Sequence, residues 1–502
     1  MRLFLMNSGQ ARARLVQAGP VSLAVLLIAG CGSAYRPVVT PINNSGPAAQ
    51  PSSYVIVVSA PSTTTPGIVT IIDYSGDAVL AIAPIGPGPN TFTIDEYGAN
   101  GYTINSDGTM SNFPISSSLQ AKQITYSTLP RTAQPVNLFA PTVGLWAADL
   151  DGNLADYFAG SPQTFKLSIP VAQTPVLIVG SPTLGQRDFV ISQNIPGATG
   201  TECNSSPASQ PNGLATGIEV ASFAADTPIT LGKCPVFAIE SPDQRRVFVL
   251  NRGSDTVSVI NAQDNTLDDQ CPPPTGCVNQ AGQTYFTHPS LPLSTTAGLA
   301  QDANNDVPKV AGPVYAEYNT ATSQLVVADY AGNTISIIDV SVDEYGNDSP
   351  TFGTTFTVPV GKNPASVTVL YDGSRAYTAN QTDQTSTIVN LSSHTVEKTL
   401  PVNGHPRTVV STQNSVYGKV YVASPDSPFL TILRTDLDIV DTTILVEGNV
   451  VDVRASTQNG TQGNVNVSSH VPGWGQPCYL PPGAEPAPTG SQTALQVCQT
   501  LP

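Results

Sequence analysis

The side chains able to do chemistry are few in these 502 residues, and their spacing limits what they can do. The four histidines, His288, His394, His405 and His470, are scattered, and His405 stands beside Pro406 at the start of a strand, where a surface role is the ordinary one. Of the seven cysteines, no two lie two to four residues apart, the ligand spacing of a structural zinc site. The run "DLDGNLAD" gathers Asp149, Asp151, Asn153 and Asp156, loosely as a calcium loop does. It lacks the loop's glycine at the sixth position and its bidentate glutamate at the twelfth, so a plain Asp-Gly turn competes with that reading. "DANNDV" from Asp302 fails in the same way. There is no G-x-S-x-G elbow, H-E-x-x-H pair, C-x-x-C-H haem site or phosphate-binding loop. The sequence thus predicts no catalytic residue and no cofactor, and its only metal candidates are those four weak calcium positions.

Charge narrows the partners. Thirty-six acidic against 20 basic residues give a net charge of −16, and no Lys/Arg cluster overrides it. Such a surface repels phosphate backbones, so nucleic acid is excluded as a partner.

The N-terminus predicts export. Arg2, Arg12 and Arg14 form a basic region, followed by the short apolar run Val21 to Ala29. Its dense apolar part is too short to span a bilayer, which argues against an uncleaved anchor. It ends in Ile28-Ala29-Gly30-Cys31, which resembles the lipobox of bacterial lipoproteins. The resemblance implies cleavage before Cys31 and acylation of Cys31, giving a membrane partner through a lipid anchor. Gly32 follows, not the aspartate that favours inner-membrane retention, so the outer membrane of the cell envelope is the expected location. Setting Cys31 aside leaves six cysteines, an even number suited to an oxidising compartment. Pairing of sequence neighbours would give Cys203–Cys234, Cys271–Cys277 and Cys478–Cys498. Fifteen pairings are open, and so are free thiols.

What positions these residues is a repeat. "VFVLNRGSDTVSVIN" from Val247 reads as two alternating strands around a tight turn. Its tetrapeptide Phe248–Asn251 recurs at Val326–Asp329, Tyr377–Asn380 and Tyr421–Ser424, and each time a new strand starts five residues after the polar end. Weaker copies stand at Ile56–Ser59, Tyr102–Asn105, Trp146–Asp149 and Phe189–Ser192. All eight end in Asn, Asp or Ser, which bond their own backbone at strand ends. Pro89, Pro135, Pro175, Pro235, Pro313, Pro364 and Pro406 lie 11 to 15 residues before seven of them and open another apolar strand. Adding a last strand gives four per unit of about 40–50 residues, the pattern of a β-propeller blade.

These units resemble the YVTN family of propeller repeats, with "VFVLNRGSDTVSVINAQDNTL" the nearest copy. The resemblance implies an all-β propeller of four-stranded blades. Seven is the commoner blade number in that family, whereas eight units are counted here. Valines 247, 249, 257 and 259 should pack between blades, and Arg252–Asp255 should turn on a rim. The orphan strand Asn449 to Ala455 is expected to pair with the first unit and close the ring. The chain then divides into a signal peptide (1–30), lipidated Cys31 with a Pro/Ser-rich tether (31–53), the propeller (54–456) and a Pro/Gly-rich tail (457–502). The largest departure from the repeat, Cys271 to Lys309, should form a stapled loop on one rim, a place where binding surfaces concentrate.

Three functions fit such a chain. The first is a non-catalytic envelope module that binds or scaffolds a protein, peptide or glycan. The second is a lactonase-like hydrolase, implied by the similarity of YVTN propellers to that superfamily, with its site at the central channel. The third, electron transfer or metal handling, is disfavoured by the histidine and cysteine positions. Titratable side chains converging in the channel would favour the hydrolase.

Overall fold

The computed structural model describes residues 54–456, apart from 96, 131–132, 142, 181–186, 199–201, 280, 294–310 and 413–417. Cys31, the tether, the tail with Cys478, Cys498 and His470, and the second half of the long insertion lie outside the described residues. The described strands form eight blades of antiparallel sheet, with almost no helix. The blade number is therefore eight.

Each unit folds as its sequence alternation dictates. In blade five the inner strand Pro235–Glu240 pairs with Arg246–Asn251, which pairs with Thr256–Asn261. Val247 and Val249 pack with residues of blade four, while Phe248, Leu250, Val257 and Val259 pack with blade six. One hairpin thus serves two interfaces, which is why both of its faces are apolar and buried. All seven prolines stand at or just before an inner strand. Pro135, Pro175, Pro235, Pro313 and Pro364 are each followed by a break in ladder register, where the missing N–H leaves no bond unmade.

The turns repeat too. Four residues after the polar end of the tetrapeptide the chain enters the left-handed region, at Asn153, Asp255, Asn333 and Gln384. The hairpin joining third and fourth strands does the same at Asp77, Phe223, Asn265, His394 and Asp438. Asparagine and aspartate tolerate that conformation better than most residues, which accounts for much of the choice.

The inner strands lie side by side in ring order, from Asn449–Ala455 in blade one through to Thr408–Ser411 in blade eight and back. Closure is made by the last strand: Asn449–Ala455 pairs antiparallel with Tyr54–Ala60. Ser456 adds a backbone bond to Tyr54 O at 2.8 Å. No edge is left at the seam.

Blades four and five depart from four simple strands. In blade five the fourth strand is split into Thr266–Leu267 and Ser290–Pro292, and both pieces pair with Thr256–Asn261. Between them the chain leaves as a loop carrying the small hairpin Cys277–Val278 with Thr284–Tyr285. Cys271 and Cys277 are joined by a disulfide, as are Cys203 and Cys234. The latter ties the connection inside blade four to the start of blade five.

Candidate functional site

The acidic candidates of blade three are best understood from the other blades. The polar end of the tetrapeptide reaches across the turn to hydroxyls five and seven residues on. Asn251 Nδ2 donates to Thr256 Oγ1 (3.2 Å) and Ser258 Oγ (2.9 Å), and Asn380 Nδ2 to Thr385 Oγ1 (3.1 Å) and Thr387 Oγ1 (2.8 Å). Asp329 Oδ2 accepts from Thr334 and Ser336. In blade three the seventh position holds Asp156, so the carboxyl of Asp149 meets a second carboxyl. Both are at most 2% exposed. Burial, with the neighbouring Asp156, pushes Asp149 up to about 7, against hydrogen bonds from Gln134 and Asp151 that pull it down. Burial also raises Asp156, which accepts from Ser168 Oγ. Burial and mutual proximity thus favour the protonated form of both carboxyls. Asp151 N–H donates to Asp149 Oδ1 (3.0 Å), and Asn153 Oδ1 accepts from Thr174 N–H (2.8 Å). Of the four calcium candidates, Asp149, Asn153 and Asp156 thus each turn one side-chain oxygen to a donor of the chain itself. Among the described residues no group of three or more His, Cys, Asp or Glu is placed to hold a metal.

His405 is oriented by the chain as well. Its backbone N–H donates to Asp426 Oδ1 at 2.8 Å, and its Nδ1 lies 2.7 Å from Asp426 Oδ2. Gln384 Nε2 donates to His405 Nε2 at 3.0 Å, which leaves the proton on Nδ1 for Asp426. His394, a turn residue, stacks on Phe356 at 3.8 Å between ring centroids.

The channel does gather titratable groups. Tyr315 and Glu317 stand on the inner strand of blade six, Asp452 and Arg454 on that of blade one, and Arg407 just before that of blade eight. Blades seven and eight lie between six and one around the ring, yet the Tyr315 phenol, raised first by burial, also feels Glu317, Arg454 and Asp452. Arg407 donates to Val451 O, Thr408 Oγ1 donates to Asp452 Oδ1 (2.9 Å), and Arg454 Nη2 lies 3.1 Å from Asp452 Oδ2. None of the five side-chain-bearing residues is more than 9% exposed. Arg407, Thr408 and Asp452 join blade eight to blade one, and the burial of all five charged or phenolic groups leaves a substrate little surface to touch.

An open polar pocket lies instead beside the disulfide-stapled loop of blade five, with a volume of about 150 Å³. Arg246, Asp268, Cys271 and Thr287 line it from blade five and the loop, with Asn261, Gln263, Gln270 and Tyr285 around them. Gly346 and Asn347 of blade six and the exposed Arg245 complete it. Its floor is an ion network: Arg246 Nε is 3.0 Å from Asp268 Oδ2, and its Nη2 pairs with Asp348 Oδ1. His288 Nδ1 sits 2.7 Å from Asp348 Oδ2, and its ring stacks on Phe352 at 5.3 Å. Burial raises the Asp348 carboxyl, an effect that Arg246 and His288 oppose. Cysteine spacing signalled the loop; Arg246, Asp268 and Asp348 carried no local signal, because their contacts cross up to 102 residues of sequence.

No family model and no curated protein matches the chain. Solved structures match its fold. Apo AztD from Citrobacter koseri is 12% identical, over 84% of this chain and 99% of that one, with a TM-score of 0.52. The dihydro-heme d1 dehydrogenase NirN, in complex with DHE, is 11% identical over 83% of this chain and 79% of that one, with a TM-score of 0.55. The Bacteroides fragilis structure described as a "putative 6-phosphogluconolactonase" is 14% identical over 82% of this chain and 99% of that one, at a TM-score of 0.49. At these identities the likeness is one of fold alone.

Proposed function

We propose that this chain is an envelope lipoprotein of the YVTN-repeat type, a ring anchored through a lipid on Cys31 and acting as a non-catalytic binding or scaffolding module. Its recognition surface is the rim of blade five, where the stapled loop and the blade-six turn enclose the polar pocket. That pocket is the observation that carries the reading: it is open, polar and set on a rigid frame beside the largest insertion in the repeat. The remaining candidate groups are occupied with holding the ring. The lipobox-like residues ending at Cys31 and the even number of remaining cysteines support an exported, outer-membrane protein.

The test is a photo-crosslinking residue at Val278, which is 66% exposed on the loop hairpin, in native envelopes. The expected result is a discrete cross-linked species absent when the same probe replaces Val396, 43% exposed on the outer strand of blade seven. Identical products from both positions would overturn the reading. Cys31→Ala should release the protein from the membrane fraction.

A second reading, a lactonase-like hydrolase, is favoured by one observation, the convergence of Tyr315, Glu317, Asp452, Arg454 and Arg407 near the axis. Their burial weighs against it. Lactone hydrolysis by the purified protein that is lost in Glu317→Gln would restore it.

A further inference from the structure

We infer that the pocket of blade five takes one carboxylate-bearing sugar, a uronic acid unit, of a glycan chain. The inference rests on the reading above, that this rim is where the ring binds.

The floor and the edge of the pocket differ in what they offer. Arg246, between Asp268 and Asp348, is 8% exposed and spends its charge on those two carboxylates. At the edge, Arg245 is exposed and forms no ion pair among the described residues; its guanidinium makes only a 3.5 Å approach to Gly346 O. The side-chain amide of Gln263 and the hydroxyl of Tyr285 likewise have no hydrogen-bond partner among the described residues. A guanidinium presents paired N–H donors that match a carboxylate. A side-chain amide both donates to and accepts from hydroxyls, and a tyrosine ring offers an apolar face with a polar tip. A carboxylated pyranose carries the complement of all three: a carboxylate, neighbouring hydroxyls and a C–H face.

Size and topology select against the alternatives. A volume of about 150 Å³ is the liquid share of roughly five waters, below the ~300 Å³ at which drug-sized pockets begin. One ring fits, with the rest of the chain running out over the mouth. An extended peptide would seek a free strand edge or a row of apolar pockets. The neighbouring strand Thr256–Asn261 offers no such edge, since Thr266–Leu267 and Ser290–Pro292 cover both of its ends. A single cation on a protein of net charge −16 suits one acidic unit better than a dense polyanion.

Gly346 makes the arrangement possible. Its φ is +81°, and a Cβ there would lie 1.8 Å from Arg245 Nη1. A side chain at 346 would push the guanidinium off the pocket's edge.

The test is calorimetric titration of the full chain with three probes: trigalacturonic acid, maltotriose and triglutamate. Trigalacturonic acid is expected to bind, with maltotriose at least tenfold weaker and triglutamate silent. Arg245→Gln, a change at an exposed residue, should weaken trigalacturonic acid at least tenfold with the melting temperature unchanged, and Gly346→Ala should weaken it similarly. Triglutamate binding as tightly as the sugar acid would make the occupant an acidic peptide and overturn the inference. So would sugar binding that Arg245→Gln leaves intact, or no sugar binding at all. The Val278 cross-link separates the two ideas: a partner captured without sugar binding leaves the binding rim standing and removes only the uronic acid.

Discussion

The Tyr421 hydroxyl donates a 2.9 Å hydrogen bond to Asp77 Oδ1, joining the first residue of the eighth tetrapeptide to a turn of blade one 344 residues away. Lys419, two residues before it, pairs with the other oxygen of the same carboxylate. Blade seven repeats the device on blade eight, with Tyr377 and Arg375 both on Asp438. In blade three the corresponding Trp146 packs against Phe223, the left-handed turn residue of blade four, at 5.9 Å. The head of the tetrapeptide in these blades is a latch onto the next blade's outer turn.

Tyr421→Phe should therefore loosen the seam between last and first blade. Loss of a hydrogen bond to a charged acceptor costs about 1.5–3 kcal/mol. A lowered melting temperature with unchanged strand content is the expected result. Tyr377→Phe should lower it by a similar amount, and an unchanged melt in both variants would show that the latch contributes nothing.

Acid should stabilise this protein. Burial lifts Asp149 and Asp329 to about 7 and Asp188 and Glu240 to about 8. For carboxyls raised above their unfolded value near 4, the native state binds more protons than the unfolded chain, so stability is fully present below that value. It is then lost as pH climbs through 7 and 8. The melting temperature should fall between pH 5 and pH 9, and Asp188→Asn should flatten the decline. A melting temperature that rises across this window would refute the assignment.

Asp156→Ser would restore to blade three the hydroxyl that Asn251, Asp329 and Asn380 find at the same offset in their own blades. Asp149 stays buried, the first cause of its rise, but loses its neighbouring negative charge, so its titration should move down from about 7 while remaining above the ordinary carboxylate range, as Asp329 does between its two hydroxyls. Carboxyl infrared bands followed against pH read this directly. A band that does not move would mean that Asp156 adds nothing to the effect of burial on Asp149.

Removing the Cys203–Cys234 disulfide should destabilise the ring by about 3–4 kcal/mol, the chain-entropy value for a loop closed over 31 residues. Cys271→Ser with Cys277→Ser should leave the main unfolding transition in place and increase protease cleavage within the loop. Chemical denaturation with and without protease distinguishes the two, and a common loss of global stability would contradict the separation of loop and ring.

Much of the ring was legible because a propeller writes its period into the chain. The eight tetrapeptides and seven prolines fix two strands of each unit by local chemistry alone, and the apolar alternation of Asn449–Ala455 gave away the closing strand. The hydroxyls at five and seven residues after the polar end were also in plain view, as "TVS", "TIS" and "TST". Their meaning depends on seeing the asparagine turn back over them. The candidate site was legible only as a place. Cys271 and Cys277 marked the loop, whereas Arg246 finds Asp348 in the next blade, and no local pattern announces a partner that far along the chain.

The split outer strand of blade five has a consequence for what this protein can become. Both feet of the loop, Thr266–Leu267 and Ser290–Pro292, are hydrogen-bonded to the same strand, so the ring does not register what is strung between them. Lengthening a loop whose ends are already pinned costs little, about 0.6 kcal/mol for each doubling. Blade five is thus a socket: foreign sequence of many lengths could be exchanged there, and specificity altered, without renegotiating the architecture that carries it.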